Sequence, residues 1–235
     1  MINVSTKRED GRGPEDIRPI KMEVGVIKNA DGSAMVSLGK TVAIAAVYGP
    51  RELHPKHLQV SNRARLKCIY SMAPFSTTER VRPGPSRRSS EISKVTRESL
   101  EPALFLENFP KTTIDVFILI VQANAGTRTA GINAASLALA DAGIEMRDLV
   151  TSVAAGKIDG TYTIDLAGKE EEATDCDLPI AYMPRIDKIT LLQMDGDMPV
   201  KDVKGTIELA KKGCKILYEE QKKALLKKWA KEGLE

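Results

Sequence analysis

Hydrophobic and polar positions alternate in the first third of the chain in a way that is typical of β-strands. The alternation begins at Ile20, and the turn-forming residues 29–33 predict a hairpin between the first two strands. A run of small and β-branched residues then favours a strand buried on both faces, which Gly49-Pro50 is expected to end. The predicted strands are Ile20–Ile27, Ala34–Leu38, Thr41–Tyr48 and Ala64–Met72, with a polar loop at 51–63 before the last of them.

The rest of the chain alternates helical and strand patterns. Ser89 or Ser90 is expected to cap a helix that runs to about Glu107 with a kink at Pro102, and the small residues of Gly131–Ala142 favour a second helix. The remaining predicted elements are the strands Thr112–Gln122, Val150–Lys157, Thr161–Leu166, Leu178–Met183 and Lys188–Met194, and a long amphipathic helix over Lys201–Lys231.

Length and composition are those of an ordinary globular protein. Hydrophobic residues make up 42% of the 235 residues and charged residues 29%, which suits one α+β domain over 19–235 that follows a polar, extended arm at 1–18. The net charge of +3 gives no basic field across the whole molecule, so any affinity for anions has to be local. No apolar run approaches the ~20 residues of a membrane span. Three widely spaced cysteines without a C-x-x-C pair fit a reducing compartment, so the sequence predicts a cytoplasmic protein with no membrane association.

An arginine-rich loop precedes the first predicted helix. Arg80, Arg82, Arg87 and Arg88 lie within nine residues, among prolines and a glycine. Backbone N–H groups at a helix N-terminus attract anions, and cations beside them strengthen that attraction. Arginines in a loop are also common on solvated surfaces, so this stretch alone leaves both interpretations open.

A second loop of the same kind strengthens the anion-binding interpretation. Residues 124–129, N-A-G-T-R-T, follow the apolar run 114–121 and open the second predicted helix. Taken alone, Gly126-Thr127-Arg128 could be a plain turn at a helix start. Two loops that each lie between a strand and a helix and each carry arginine point to an enzyme that acts on a phosphodiester.

Several motifs in this order resemble the ribonuclease PH family, and within it the catalytic ribonuclease-PH-like subunits of the archaeal exosome. The motifs are R-P-G-P-S-R-R, A-G-T-R, D-L-P-I-A-Y-M, R-E-L-H-P-K-H-L, A-P-F-S-T-T-E-R and L-L-Q-M-D-G, and the similarity extends from about residue 15 to 230. The resemblance implies a ribosomal-protein-like β-α-β-α sandwich and a phosphorolytic 3′→5′ exoribonuclease that acts on single-stranded RNA. It also implies a six-membered ring in which this subunit alternates with a paralogue beneath RNA-binding cap proteins.

The resemblance also assigns roles to the two arginine-bearing loops. Gly126, Thr127 and Arg128 would bind inorganic phosphate, which is a substrate, because glycine lets the backbone approach an anion and arginine adds a bidentate cation. Arg87 and Arg88 would hold phosphates of the RNA 3′ end. Two further RNA contacts, Lys56 and His57, belong to a loop that lines the ring constriction in the family, although an ordinary surface loop fits their sequence equally well.

An acidic segment, 169–177, supplies the candidate catalytic carboxylates. In the family, two acids six residues apart flank the leaving 3′ oxygen and bind a divalent cation or donate a proton; here they are Asp177 and Glu171. Asp177 is the expected ligand of Mg²⁺ or another divalent cation. Relatives usually carry aspartate where this chain has Glu171, so Glu172 or Asp175 could act in its place. Without the arginine loops, a solvated acidic turn would explain the segment.

Two other functions remain open from the sequence. One is a stand-alone ribonuclease PH that trims transfer RNA. The other is a non-catalytic ring subunit that serves as a scaffold or binds RNA. Such a scaffold has no need of Arg87, Arg88, Arg128 and an acidic segment together, which favours the enzyme.

Overall fold

The first of two sheets contains the strand patterns of the N-terminal half of the chain. A computed structural model describes residues 8, 10–158, 160–168, 170, 174 and 176–232. Its first sheet consists of β1 (Ile20–Val24), β2 (Gly32–Leu38), β3 (Thr41–Glu52), β4 (Arg65–Met72) and β5 (Thr112–Gln122). The order across the sheet is β1-β2-β3-β5-β4, with β4 and β5 parallel and the other neighbours antiparallel.

The second sheet is antiparallel and forms from the C-terminal half. Its strands are β6 (Thr151–Ile158), β7 (Thr161–Ile164), β8 (Cys176–Met183), β9 (Lys188–Leu192) and β10 (Asp195–Gly196). The order is β10-β8-β6-β7, and β9 also pairs with β8. Most side chains of β6 and β8 are buried, so both faces of this sheet are covered.

Within the described part of the chain, three helices cover the sheets. They are α1 (Arg87–Leu100), α2 (Thr127–Asp141) and α3 (Val200–Glu232). The small residues of α2 let it lie close to both sheets, and a Cβ on Gly131 would come within 3.2 Å of the Ile118 side chain in β5. Helix α3 covers the other face of the second sheet, where Cys214 and Leu217 are fully buried. These layers confirm the predicted α+β class and its β-α-β-α sandwich.

Several predicted element boundaries in the first sheet and first helix were wrong, including the end of β1, which lies at Val24 rather than at Ile27. Strand β3 does not end at Gly49-Pro50 but continues to Glu52, because a register shift after Tyr48 lets the chain pair with β5 again. Helix α1 is capped by Ser86 rather than by Ser89 or Ser90. The Ser86 side chain accepts a hydrogen bond from the Ser89 backbone N–H, and the Ser89 side chain accepts one from the Ser86 N–H.

The ends of α1 and the start of α2 also differ from the prediction. Helix α1 ends at Leu100 and a short 3-10 turn, Glu101–Ala103, follows it, because Pro102 cannot donate the hydrogen bond that would continue the helix. Helix α2 begins at Thr127, one turn before the predicted start. Within the described residues, no helix is long and apolar enough to cross a membrane.

Candidate active site

Both arginine-bearing loops lie at the same edge of the first sheet. Strands β4 and β5 are parallel, so their carboxyl ends meet there, and α1 and α2 begin just beyond them. Two backbone hydrogen bonds join the loops to each other and to β5: Ala73 N–H donates to the Ile120 carbonyl, and Ala123 N–H donates to the Ser76 carbonyl. The fold therefore brings the two predicted anion sites together.

The start of α2 has the geometry of an anion-binding helix terminus. Gly126 caps the helix with a φ of 65° in the left-handed region, and no side chain forms a capping hydrogen bond there. Ala125, just before it, has a φ of 61°, a strained conformation for a residue with a side chain. Because no side chain among the described residues caps the start of α2, its first N–H groups suit a bound anion. The first N–H groups of α1, by contrast, include one that is bonded to Ser86.

A buried ion pair supports this loop from behind. Arg18 and Asp165 are 4% and 2% exposed, and the carboxylate of Asp165 accepts hydrogen bonds from the Arg18 backbone N–H, Nε and Nη2 at 2.8, 2.8 and 2.7 Å. Arg18 Nη1 then donates to the Asn124 carbonyl at 2.6 Å. A Cβ on residue 126 would lie 3.0 Å from Arg18 Nη2, so a side chain at this position would also crowd the Arg18 guanidinium.

A threonine of β3 holds the same loop from the sheet. The Thr41 hydroxyl donates to the Ala125 carbonyl at 2.7 Å and accepts the Asn124 N–H at 3.0 Å. Thr41 is itself fully buried. The backbone before α2 is thus fixed by a side chain from the N-terminal segment and one from the first sheet.

Arg128 lies in the first turn of α2 and is held by two other elements. Its Nη1 donates to Gln193 Oε1 at 2.7 Å, and its Nη2 lies 3.3 Å from Glu91 Oε1 in α1. Tyr70 is buried beneath the start of α2; burial raises the pKa of its phenol, and the nearby cations Arg88 and Arg128 oppose that shift. Arg128 therefore lies where the starts of the two helices meet.

The other predicted residues of these loops differ in exposure. Arg87 and Arg88 occupy the first turn of α1 and are exposed, and neither forms an ion pair within the part of the chain that the structure describes. Thr127 is only 6% exposed. Its backbone N–H, rather than its buried hydroxyl, is therefore the group that suits an anion at the helix start.

Asp177 is the second residue of β8. It pairs with Gly156 of β6 on one side and with Asp195 of β10 on the other. Directly paired residues of antiparallel strands share a face of the sheet, so the two carboxylates point the same way. Two carboxylates on one face fit the coordination of Mg²⁺, which takes one or two protein carboxylates together with water and substrate oxygens.

The remaining candidate acids, Glu171, Glu172 and Asp175, lie outside the described residues. The residue between them that is described, Thr174, donates from its hydroxyl to the Lys157 and Cys176 carbonyls, both at 3.0 Å. The contact with Lys157 holds Thr174, near the end of the acidic segment, against β6. Among the described side chains, no group of three His, Cys, Asp or Glu residues could hold a metal ion.

Lys56 and His57 are not near this site. They lie in a 3-10 turn between β3 and β4, and both are exposed. The loop is at the opposite end of the first sheet, because β4 starts beside Thr113 and ends beside Ile120 of β5. Seven residues of strand separate these positions, a distance of roughly 23 Å at about 3.3 Å per residue. The fold places this loop and the helix starts at opposite ends of the sheet.

Sequence reasoning assigned no role to several residues that build the site. Gln193 and Asp195 lie in the motif L-L-Q-M-D-G, so the resemblance contained a signal for them. Arg18 was placed in a polar arm, and nothing in its local sequence indicates that it pairs with Asp165, 147 residues later. Glu91 has the ordinary surroundings of a helix surface.

Comparisons with known proteins agree with this architecture. Residues 16–145 match domain 1 of the 3′ exoribonuclease family RNase PH, and residues 148–213 match domain 2. Exosome complex component Rrp41 of Methanopyrus kandleri is 56% identical over 229 residues, which cover 97% of this chain and 96% of that protein. The component of the same name from Thermococcus kodakarensis is 58% identical over 231 residues, which cover 98% of this chain and 93% of that protein.

A solved structure supports the fold. The crystal structure of rice (Oryza sativa) Rrp46 superposes with a TM-score of 0.85, covering 93% of this chain and all 100% of that chain at 23% identity. At this identity the likeness concerns the fold alone. Together with the two domain matches and relatives that cover nearly the whole chain, it leads to one conclusion: the chain belongs to the 3′ exoribonuclease family of ribonuclease PH.

Proposed function

We propose that the chain is a phosphate-dependent 3′→5′ exoribonuclease subunit that releases nucleoside diphosphates from single-stranded RNA. One observation carries the proposal: the helix start at Gly126, which has no side-chain cap and has Arg128 beside it, adjoins the exposed Arg87 and Arg88 of α1. A site for one small anion next to a site for a chain of phosphates suits phosphorolysis. Hydrolysis would need a site for water instead.

Inorganic phosphate is assigned to the start of α2. Backbone N–H groups at residues 126–128 and the Arg128 guanidinium would hold its oxygens. Attack of one anion on another requires that their repulsion be neutralised, and donors fixed in advance do this without reorganising during the reaction. The buried Arg18 contact to Asn124 and the Thr41 bonds keep the loop in that arrangement.

The RNA 3′ end is assigned to the start of α1. Arg87 and Arg88 are exposed and would contact phosphates of the last nucleotides, so they contribute affinity that depends on salt and not on base sequence. A phosphate oxygen then attacks the terminal phosphodiester, the bond from phosphorus to the 3′ oxygen of the preceding nucleotide breaks, and that oxygen takes a proton. The products are a nucleoside diphosphate and an RNA shorter by one nucleotide.

Asp177 is assigned to the leaving 3′ oxygen. With Asp195 opposite it, Asp177 fits a divalent cation such as Mg²⁺, which when bound supplies positive charge to the developing oxyanion. The proton source is proposed to be Glu171, with Asp175 as the alternative in the same segment. A carboxylate on β8 is held at a fixed distance by the sheet.

Assembly into a ring with a paralogous subunit, beneath RNA-binding cap proteins, is proposed from the relatives, which are components of an exosome complex. Phe117 and Leu119 are both 41% exposed on the outer face of β5, an apolar surface suited to a neighbouring subunit. Action in the cytoplasm fits the three cysteines, which are all buried and form no disulfide bond.

The test is a degradation assay with and without phosphate. The protein, alone and together with its ring partner, is incubated with an RNA that has a single-stranded 3′ end, and the released nucleotides are separated. Nucleoside diphosphates that appear only with phosphate support the proposal. Nucleoside monophosphates released at the same rate without phosphate would show a hydrolase.

A further inference from the structure

Arg128 is held by a residue of the second sheet. Gln193 follows β9, and its Oε1 accepts the bond from Arg128 Nη1 at 2.7 Å while its backbone N–H donates to the Pro179 carbonyl of β8 at 3.2 Å. Arg128 belongs to the region that matches domain 1 of the family and Gln193 to the region that matches domain 2. Gln193 thus connects Arg128, the cation predicted to bind phosphate, to the strand that carries Asp177.

The orientation of the Gln193 amide is set by its second contact. Its Nε2 lies 3.4 Å from Glu91 Oε1, which also lies 3.3 Å from Arg128 Nη2. An amide oxygen toward the guanidinium and an amide nitrogen toward the carboxylate is the only assignment that pairs a donor with an acceptor at both contacts. Arg128, Gln193 and Glu91 therefore form a closed triangle of hydrogen bonds.

The chemistry of an amide acceptor matters for an anion site. A glutamine fixes the guanidinium by a hydrogen bond and leaves its charge intact, whereas a carboxylate at the same place would neutralise it. Glu91 is 49% exposed, so solvent screens the carboxylate that does face Arg128. Gln193 is accordingly suited to hold Arg128 in place and keep it cationic.

We propose that Gln193 is a positioning residue for inorganic phosphate, which it serves by holding the Arg128 guanidinium as a neutral acceptor. The inference rests on the proposed phosphorolysis and extends it to a residue outside the two anion-binding loops. It requires both features of glutamine, namely a side chain long enough to reach Arg128 and the absence of charge.

The test measures phosphorolysis as a function of phosphate concentration in the assembled protein. Gln193→Ala removes the hydrogen bond and should raise the KM for phosphate about tenfold, the effect of losing one bond to a charged group. Gln193→Glu keeps the length but adds a negative charge, and should raise that KM at least as much. The KM for RNA and the melting temperature should stay at the wild-type values, a split that a general loss of structure would not produce.

Two further variants keep the outcome decisive. Asn29→Ala, which removes an exposed amide in the turn between β1 and β2, is the control and should leave every parameter unchanged. Glu91→Gln changes an exposed residue and should lower the phosphate KM or leave it unchanged. The inference is overturned if either Gln193 variant has the wild-type phosphate KM, or if Glu91→Gln raises it as much as Gln193→Ala. A wild-type enzyme that needs no phosphate would refute the proposed function instead.

Discussion

Asp165 offers the sharpest test of how the loop before α2, the proposed phosphate site, is supported. Its carboxylate accepts three hydrogen bonds from Arg18 at 2.7 to 2.8 Å and one from Arg12 Nη1 at 3.2 Å, and both Asp165 and Arg18 are almost completely buried. Asp165→Asn keeps the shape but leaves the Arg18 guanidinium buried without a counter-charge. Breaking a buried pair in this way costs about 3–5 kcal/mol. That is a large share of the ~5–15 kcal/mol that stabilises a typical domain.

The assay is unfolding in urea or guanidinium, with the free energy taken from the midpoint and the slope. Glu23→Gln is the matched control, because it neutralises one partner of an exposed pair with Lys21 and should cost under ~1 kcal/mol. The combined change of Arg18→Met and Asp165→Leu should recover part of the loss, since no uncompensated charge stays buried. If Asp165→Asn costs no more than the control, the pair does not support the loop as described.

The other predictions concern ligand binding and pH. Arg88→Ala should weaken RNA binding and reduce its salt dependence, while Arg128→Ala should raise the phosphate requirement and leave RNA affinity nearly unchanged; equal effects on RNA affinity with no change in phosphate dependence would mean that the two anion sites are assigned wrongly. Asp177→Asn should abolish single-turnover cleavage while RNA still binds, because its charge is proposed to act on the leaving oxygen and not on ground-state affinity. Burial opposes ionisation of Glu170, but its bonds with Arg8 and the Ala167 N–H prevail and lower its pKa below the ordinary 4.5. Its stabilising effect is therefore present above that value and lost as pH falls through the lowered pKa, so Glu170→Gln should destabilise the protein most at neutral pH and progressively less as the solution is acidified below 4.5.

The local pattern of residues was sufficient to predict the helices and strands and to single out the two arginine-bearing loops of the candidate site. Thr112–Gln122 is a long β-branched run with turn residues on both sides, so nothing competed with the strand assignment, and the structure confirms its bounds. The cap of α1 was wrong because Ser86, Ser89 and Ser90 all suit a helix start, and only the geometry of the loop decides among them.

Contacts between distant parts of the chain could not be predicted. Arg128 and Gln193 are 65 residues apart, and their bond depends on β9 lying beside β8 next to the start of α2. The burial of Arg18 is a similar case, because nothing in the local sequence distinguishes a buried arginine from an exposed one until the fold shows which carboxylate pairs with it. The motif A-G-T-R therefore predicts where an anion would bind, while the residues that hold this loop in place emerged only from the fold.

The separation between the loop that carries Lys56 and His57 and the helix starts has a consequence for substrate length. A strand of RNA that touches both has to span roughly 23 Å, about seven nucleotides at ~3.4 Å per stacked nucleotide and fewer if it is extended. In the proposed mode of binding, longer transcripts would be held at two points and would stay bound through successive rounds of cleavage. Once the remnant became shorter than this span, only the proposed contacts at Arg87 and Arg88 would be left, so processive digestion would give way to dissociation after each cut and the shortest oligonucleotides would accumulate.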